Sequence, residues 1–193
     1  MSEFYLYFSL GLQHILDFEG YDHILFVTVL CGIYLLGDWK QVLILVTAFT
    51  IGHSITLALS VFDRIKVNSP LIEFLIPLTI LLTAFSNIIN KDFSSRFRSF
   101  SYLMALLFGL IHGMGFSNYL KSLLGSDNSV VKELFAFNAG LECGQILIVM
   151  AILGISWIMI QVIKVKRREW NLFLSSAIMG IALVMAMERL SSI

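Results

Sequence analysis

Long apolar runs, cut by short charged or turn-rich breaks, organise this chain. The breaks predict helical segments over Glu3 to Leu16, Asp22 to Leu36, Gln41 to Phe62, Pro70 to Ile89, Phe100 to Leu124, Val131 to Ile163 and Trp170 to Met187. A membrane span needs about 20 apolar residues. The third to sixth segments reach that length, and the second and last fall short of it. The first is too short to cross comfortably. It is expected to lie in the interface, to re-enter, or to cross with polar protein around it. The predicted fold class is all-α: a polytopic integral membrane helix bundle with six spans plus a short N-terminal helix, re-entrant or a seventh span. Residues 1–193 read as a single membrane domain, with no linker or low-complexity tract.

Composition supports this pattern. The chain is 58% hydrophobic and only 13% charged, whereas soluble domains are nearer a quarter charged. A core of this size cannot hide so much apolar surface, so lipid must solvate much of it. The formal net charge is zero, which gives no electrostatic case for nucleic acid. Cys31 and Cys143 fall inside apolar runs and are expected to be buried thiols rather than a disulfide. The N-terminus has no basic start and no small-residue cleavage site, unlike a cleaved signal peptide.

Lys and Arg set the orientation. Lys40, Lys91, Arg96, Arg98, Lys164, Lys166, Arg167 and Arg168 fall on one side of the predicted bundle. The smaller set of Arg64, Lys66, Lys121, Lys132 and Arg189 falls on the other. The positive-inside rule puts the first set in the cytoplasm, in an inner (plasma) membrane, with the C-terminus outside. The KVKRR run suits anionic lipid or an ordinary cytoplasmic loop equally well.

Against this oily background, the stretch HILDFEGYDHILF carries His14, Asp17, Glu19, Asp22 and His23. At about 1.5 Å rise per residue, His23, His53 and His112 reach a similar depth in the outer half, with Glu142 close to it. His14 is expected to cap the cluster. A lone histidine in a span most often serves packing. Several ionisable groups at one depth are different, because each costs about 2.5–3.5 kcal/mol to insert. A shared divalent cation is the simplest remedy, since neutral imidazole and carboxylate are zinc- and nickel-type ligands. The candidate metal ligands are therefore His14, His23, His53, His112, Asp22 and Glu142. Shared coordination requires the imidazoles to lie within about 8 Å of one another, given bonds near 2 Å.

Neighbouring residues have quieter readings too. Asp22 is a ligand, an orienter of an imidazole, or an N-cap. Thr50 and Ser54 flank His53, and Thr50 can bond back to its own helix. Asn138, Glu142 and Gln145 repeat at helical spacing, which turns a polar stripe inward; Cys143 lies off it. Asp17 shares a cation with His14 or is simply a loop acid. Asp17, Thr50, Ser54, Asn138 and Gln145 are the expected supporting shell. Gly109, Gly113 and Gly115 around His112 let a helix or substrate approach closely. Glu73 and Glu188 receive no role, and the phenylalanines read as lipid-facing packing.

Four motifs in order, H…GYDHILF, FTIGHSITL, GLIHGMGF and FNAGLECGQ, span Gln13 to Gln145. On them the chain resembles the HupE/UreJ family of nickel and cobalt permeases, in its second, broader branch. The resemblance implies a small polytopic inner-membrane protein that handles a divalent metal. His14, Asp22, His23, His53, His112 and Glu142 occupy the matching positions. Two departures leave the choice between zinc and nickel/cobalt open. LDFEGY lengthens the first motif, and MGFSNYL follows the IHG segment where nickel-permease members carry a further histidine and a glutamate.

Three functions fit this site. In a permease, His14 and Asp17 are the way in and the deeper groups bind transiently. In an intramembrane zinc hydrolase, three histidines hold Zn²⁺, Asp22 or Glu142 acts as general base, and Ser54 stabilises the oxyanion. The third is a metal-stabilised scaffold for a partner. The expected partners are membrane lipid and a divalent cation, with a homo-oligomer or membrane partner also compatible.

Overall fold

The computed structural model describes residues 3–65, 68–90, 95–123 and 130–191. Of the basic residues used for orientation, Lys66 and Lys91 lie outside the described residues, as do the side chains of Arg96, Arg98 and Lys121. The described residues are mostly helical, with no strand among them. Its helices are α1 (Glu3–Leu16), α2 (Asp22–Cys31), α3 (Trp39–Val61), α4 (Ser69–Ile89), α5 (Ser95–Leu123), α6 (Val130–Trp157) and α7 (Arg167–Leu190). A 3₁₀ turn, Leu36–Asp38, leads into α3, and a π turn, Ile158–Val162, extends α6. Helices α3 to α7 are long and apolar enough to cross a membrane.

Helix directions follow from close glycine contacts. A Cβ on Gly11 would stand 2.0 Å from Phe137 O, one on Gly140 2.0 Å from Phe8 O, and one on Gly144 2.0 Å from Ile15 Cγ2. Glu3 and Phe4 share a cleft with Val131 and Glu133, and Ile15 meets Gly144 further along, so α1 and α6 run parallel, backbone against backbone. Small residues permit that approach, which gains dispersion where lipid offers no hydrophobic drive. Helices α3 and α5 are parallel by the same logic: Gly109 abuts Phe49 O and Gly113 abuts His53 O. Helices α4 and α7 are antiparallel. Arg189 pairs with Glu73 at one end, and Asn171 Nδ2 donates to Asn87 O at the other.

These directions decide what the two short helices do. Helix α1 descends beside α6 and stops where Ile15 meets Gly144, near the middle of the 28-residue α6. Helix α2 continues the same way, for Asn87 Nδ2 near the C-terminal end of α4 donates to Val29 O (2.7 Å). Arg167 at the start of α7 donates to Ile33 O. Together α1 and α2 supply about 36 Å of helix, enough for one crossing of a roughly 30 Å hydrocarbon core. The short N-terminal helix is the upper half of a first crossing broken at residues 17–21. The other expected segments recur, with α3 starting earlier, at Trp39, and α2 ending earlier, at Cys31.

One expectation needs correction. Cys31 is buried, but Cys143 is exposed on the outer face of α6; depth in the bilayer is not burial in protein. Arg168 is not free for lipid. Its guanidinium donates to the carbonyls of Asn87 (3.0 Å), Asn90 (2.7 Å) and Ile88, closing the C-terminal end of α4. A cation there satisfies orphan carbonyls and the helix dipole together.

Candidate metal centre

The break in the first crossing delivers His14 and His23 to one level. His14 sits in the last turn of α1 and His23 in the first turn of α2. Helices α3 and α5, held together through Gly109 and Gly113, carry His53 and His112 to the same level. Ring centroids are 3.7 Å apart for His23 and His112 and 4.6 Å for His14 and His23. His53 is 6.3 Å from His14 and 6.4 Å from His112. All four of these spacings are inside the 8 Å limit.

His14, His23 and His112 each offer a ring nitrogen within 4.8 Å of the others. Bonds of about 2 Å hold two donors at most about 4 Å apart, so a common ion needs rings to shift by about an ångström. The Asp22 carboxylate bridges two rings, with Oδ1 3.1 Å from His23 Nδ1 and Oδ2 3.8 Å from His112 Nε2. The shorter contact is an ion-pair distance without hydrogen-bond alignment, since His23 Nδ1 has no hydrogen-bond partner. Asp22 is not the N-cap of α2. Tyr21 holds that position, and Asp22 Oδ1 instead accepts the backbone N–H of His23 at 2.8 Å. The partial positive charge at a helix start disfavours a cation, and a carboxylate in the first turn offsets it.

Five buried ring nitrogens lack a hydrogen-bond partner among the described residues: His14 Nε2, His23 Nδ1 and Nε2, His53 Nε2 and His112 Nδ1. A buried polar atom without a hydrogen bond costs about 1–3 kcal/mol. Such a concentration fits a group that accepts electron pairs from several imidazoles at once, which is the chemistry of a divalent cation. Among the described residues, the aligned imidazole hydrogen bond is between His53 Nδ1 and Asn138 Oδ1, 3.4 Å, which orients the His53 Nε2.

The rest of the expected shell divides. Thr50 Oγ1 donates to Gln145 Oε1 (3.1 Å) inside the α3–α6 seam. Ser54 Oγ donates to Thr50 O (2.6 Å) on its own helix. Glu142 is outside the three-histidine group. It is half-buried and accepts from Thr47 Oγ1 at 3.1 Å. Asp17 is exposed, with Oδ1 accepting the N–H of Glu19 at 2.9 Å. Glu19 is exposed as well.

Sequence reasoning missed the aromatic wall. Phe116 lies 3.9 Å from the His14 ring and Phe108 5.0 Å from that of His112. Phe137 and Phe49 stack beside His53. One turn below the histidines, Phe26 stacks on Phe108 at 3.5 Å with Phe49 against both. Phe26, Phe49, Phe108 and Phe137 are buried and exclude water, rather than facing lipid, while the half-buried Phe116 borders an open crevice. Their signal was present: Phe49 and Phe108 precede His53 and His112 by one helical turn.

No curated protein and no solved structure matches the chain. A family model described as HupE / UreJ protein matches residues 1–189, and the chain belongs to that family.

Proposed function

We propose that the protein is a permease for a divalent transition-metal cation, nickel, cobalt or zinc, held midway through the membrane by His14, His23 and His112. Asp22 supplies negative charge, His53 is the next ring inward, and Glu142 is a carboxylate stage below it. The cation is cargo. The observation that carries this reading is the set of five partnerless ring nitrogens beside one carboxylate. A first crossing broken beside them adds support, because irregular backbone at membrane depth is tolerated where it is enclosed by protein or lines a cavity. Family membership agrees with metal handling. The basic residues Lys40, Lys164, Lys166, Arg167 and Arg168 support a cytoplasmic location for the α2–α3 connection, with both termini on the outer face of an inner membrane.

A zinc hydrolase is the second reading. The phenyl layer of Phe26, Phe49 and Phe108 closes the way inward, as suits a resident ion. Against it, Ser54 is committed to Thr50 O and is not free for an oxyanion.

The test is metal content of the purified protein together with cobalt and nickel flux into vesicles. Flux that disappears in His112→Ala supports the permease. One zinc that survives dialysis, with no flux, sinks it.

A further inference from the structure

Beside the histidines lies an open crevice of about 580 Å³ lined by Leu10, Gln13, His14, Asp17, Phe116 and Tyr119. Leu10 and Tyr119 lie nearer than the histidines to the end where α1 begins, given the parallel course of α1 with α6 and the opposite course of α5. Asp17 lies past His14, at the break itself. The break is near mid-depth, yet Asp17 and Glu19 are exposed there. Charged groups and non-helical backbone do not face hydrocarbon at that depth. Water in the crevice removes the conflict.

The crevice is suited to one class of solute. Helix α1 ends beside it, and the last carbonyls of a helix have no intrahelical partner and carry the negative end of the dipole. Asp17 adds a full negative charge, and Gln13 and Tyr119 add neutral oxygens. Among the described residues, no Lys or Arg lines it. His14 belongs both to the crevice and to the three-histidine group, and its Nε2 is buried and partnerless. A cation in the crevice therefore meets the metal centre through His14.

We propose that this crevice is a water-filled vestibule in which Asp17 captures a hydrated divalent cation through its water shell before His14 draws it into the dry centre. The proposal rests on the cation reading above and adds a second, outer binding position. Oxygen ligands hold such ions more weakly than imidazole, so the outer position loads and the inner one selects.

Two measurements on the full chain in proteoliposomes test it. The first uses Gln13→Cys, Tyr119→Cys and, as a lipid-facing control, Leu82→Cys, all in a Cys143→Ser background. With a charged, membrane-impermeant thiol reagent and no metal, Gln13→Cys and Tyr119→Cys are expected to react at least tenfold faster than Leu82→Cys. Equal rates would overturn the vestibule. The second is cobalt uptake by Asp17→Asn. KM is expected to rise about tenfold, with the maximal rate and equilibrium cobalt binding held within about threefold, and Asp17→Glu should restore KM. An unchanged KM, or loss of equilibrium binding, would overturn the capture role. If the unmodified protein binds no cobalt, nickel or zinc, the permease reading itself fails and the capture site fails with it. Slow labelling in a protein that does bind the metal removes the vestibule alone.

Discussion

The layer around Asn87 and the layer around His23 both bury polar side chains between helices, at different depths of the same bundle. Around Asn87, donors and acceptors are matched. Asn87 Nδ2 donates to Val29 O, Asn171 Nδ2 donates to Asn87 O, and Ser175 Oγ donates to Asn171 Oδ1. Trp170 Nε1 donates to Ser156 Oγ, and Arg168 closes the end of α4. Around His23, five ring nitrogens have no hydrogen-bond partner among the described residues. The named contacts of the first layer need no ligand and act as glue. On the proposed reading the second is completed by a bound cation, so substitution should separate stability from binding.

The largest effect is expected at His23. His23→Phe keeps a ring in the cavity and removes two partnerless nitrogens. Cobalt affinity should fall by at least about 100-fold, roughly 2.7 kcal/mol, while metal-free thermal stability changes by less than about 1 kcal/mol. Titration calorimetry and thermal unfolding read the two quantities separately. A large loss of metal-free stability would show that the histidine layer is also glue. Arg168→Met should give the converse, a stability loss of about 2 kcal/mol from charged hydrogen bonds with cobalt affinity changed no more than about twofold.

Smaller effects sharpen the boundary of the site. Asn138→Leu removes the orienting contact to His53 and should lower cobalt affinity about tenfold. Acidification should act on one layer only. Imidazoles bind metal in the neutral form, so protons compete, and the rise in melting temperature caused by cobalt should shrink as pH falls. An equal rise at pH 5 and pH 8 would argue against imidazole coordination. Thr47→Val, at the half-buried Glu142, should cost less than about 1 kcal/mol and leave cobalt affinity unchanged, with flux as the quantity to measure.

Much of this contrast was legible in the sequence. Counting residues from each helix start brought His23, His53 and His112 to one depth, because rise per residue is fixed. Rotation about each axis was less legible. Glu142 has suitable depth but turns about 40° from Asn138, and it meets Thr47 instead of an imidazole. The phenylalanines around the histidines were misread, while Phe85, Phe135 and Phe173 are exposed on the bundle surface as expected, because hydropathy is the same for a ring against lipid and a ring against histidine. Arg168 was hidden in a basic cluster whose charge alone fixes orientation. The broken first crossing was also obscure. Fourteen apolar residues suit an interfacial helix and a half-crossing equally, and the contacts that decide between them, Gly11 to Phe137 and Gly140 to Phe8, join distant parts of the chain.

That distance bears on how the protein is made. Helix α1 is too short to be secured by lipid alone, and its main support, α6, is synthesised more than a hundred residues later. During translation His14 therefore has no fixed place beside His23, and on the proposed reading the histidine cluster closes only when α6 arrives. Chains stopped before Val130 should leave Gln13→Cys with the same labelling rate whether or not cobalt is present, whereas the complete chain should respond to the metal. If the cluster is the proposed cation site, the last steps of membrane insertion and the first moment of metal competence are the same event.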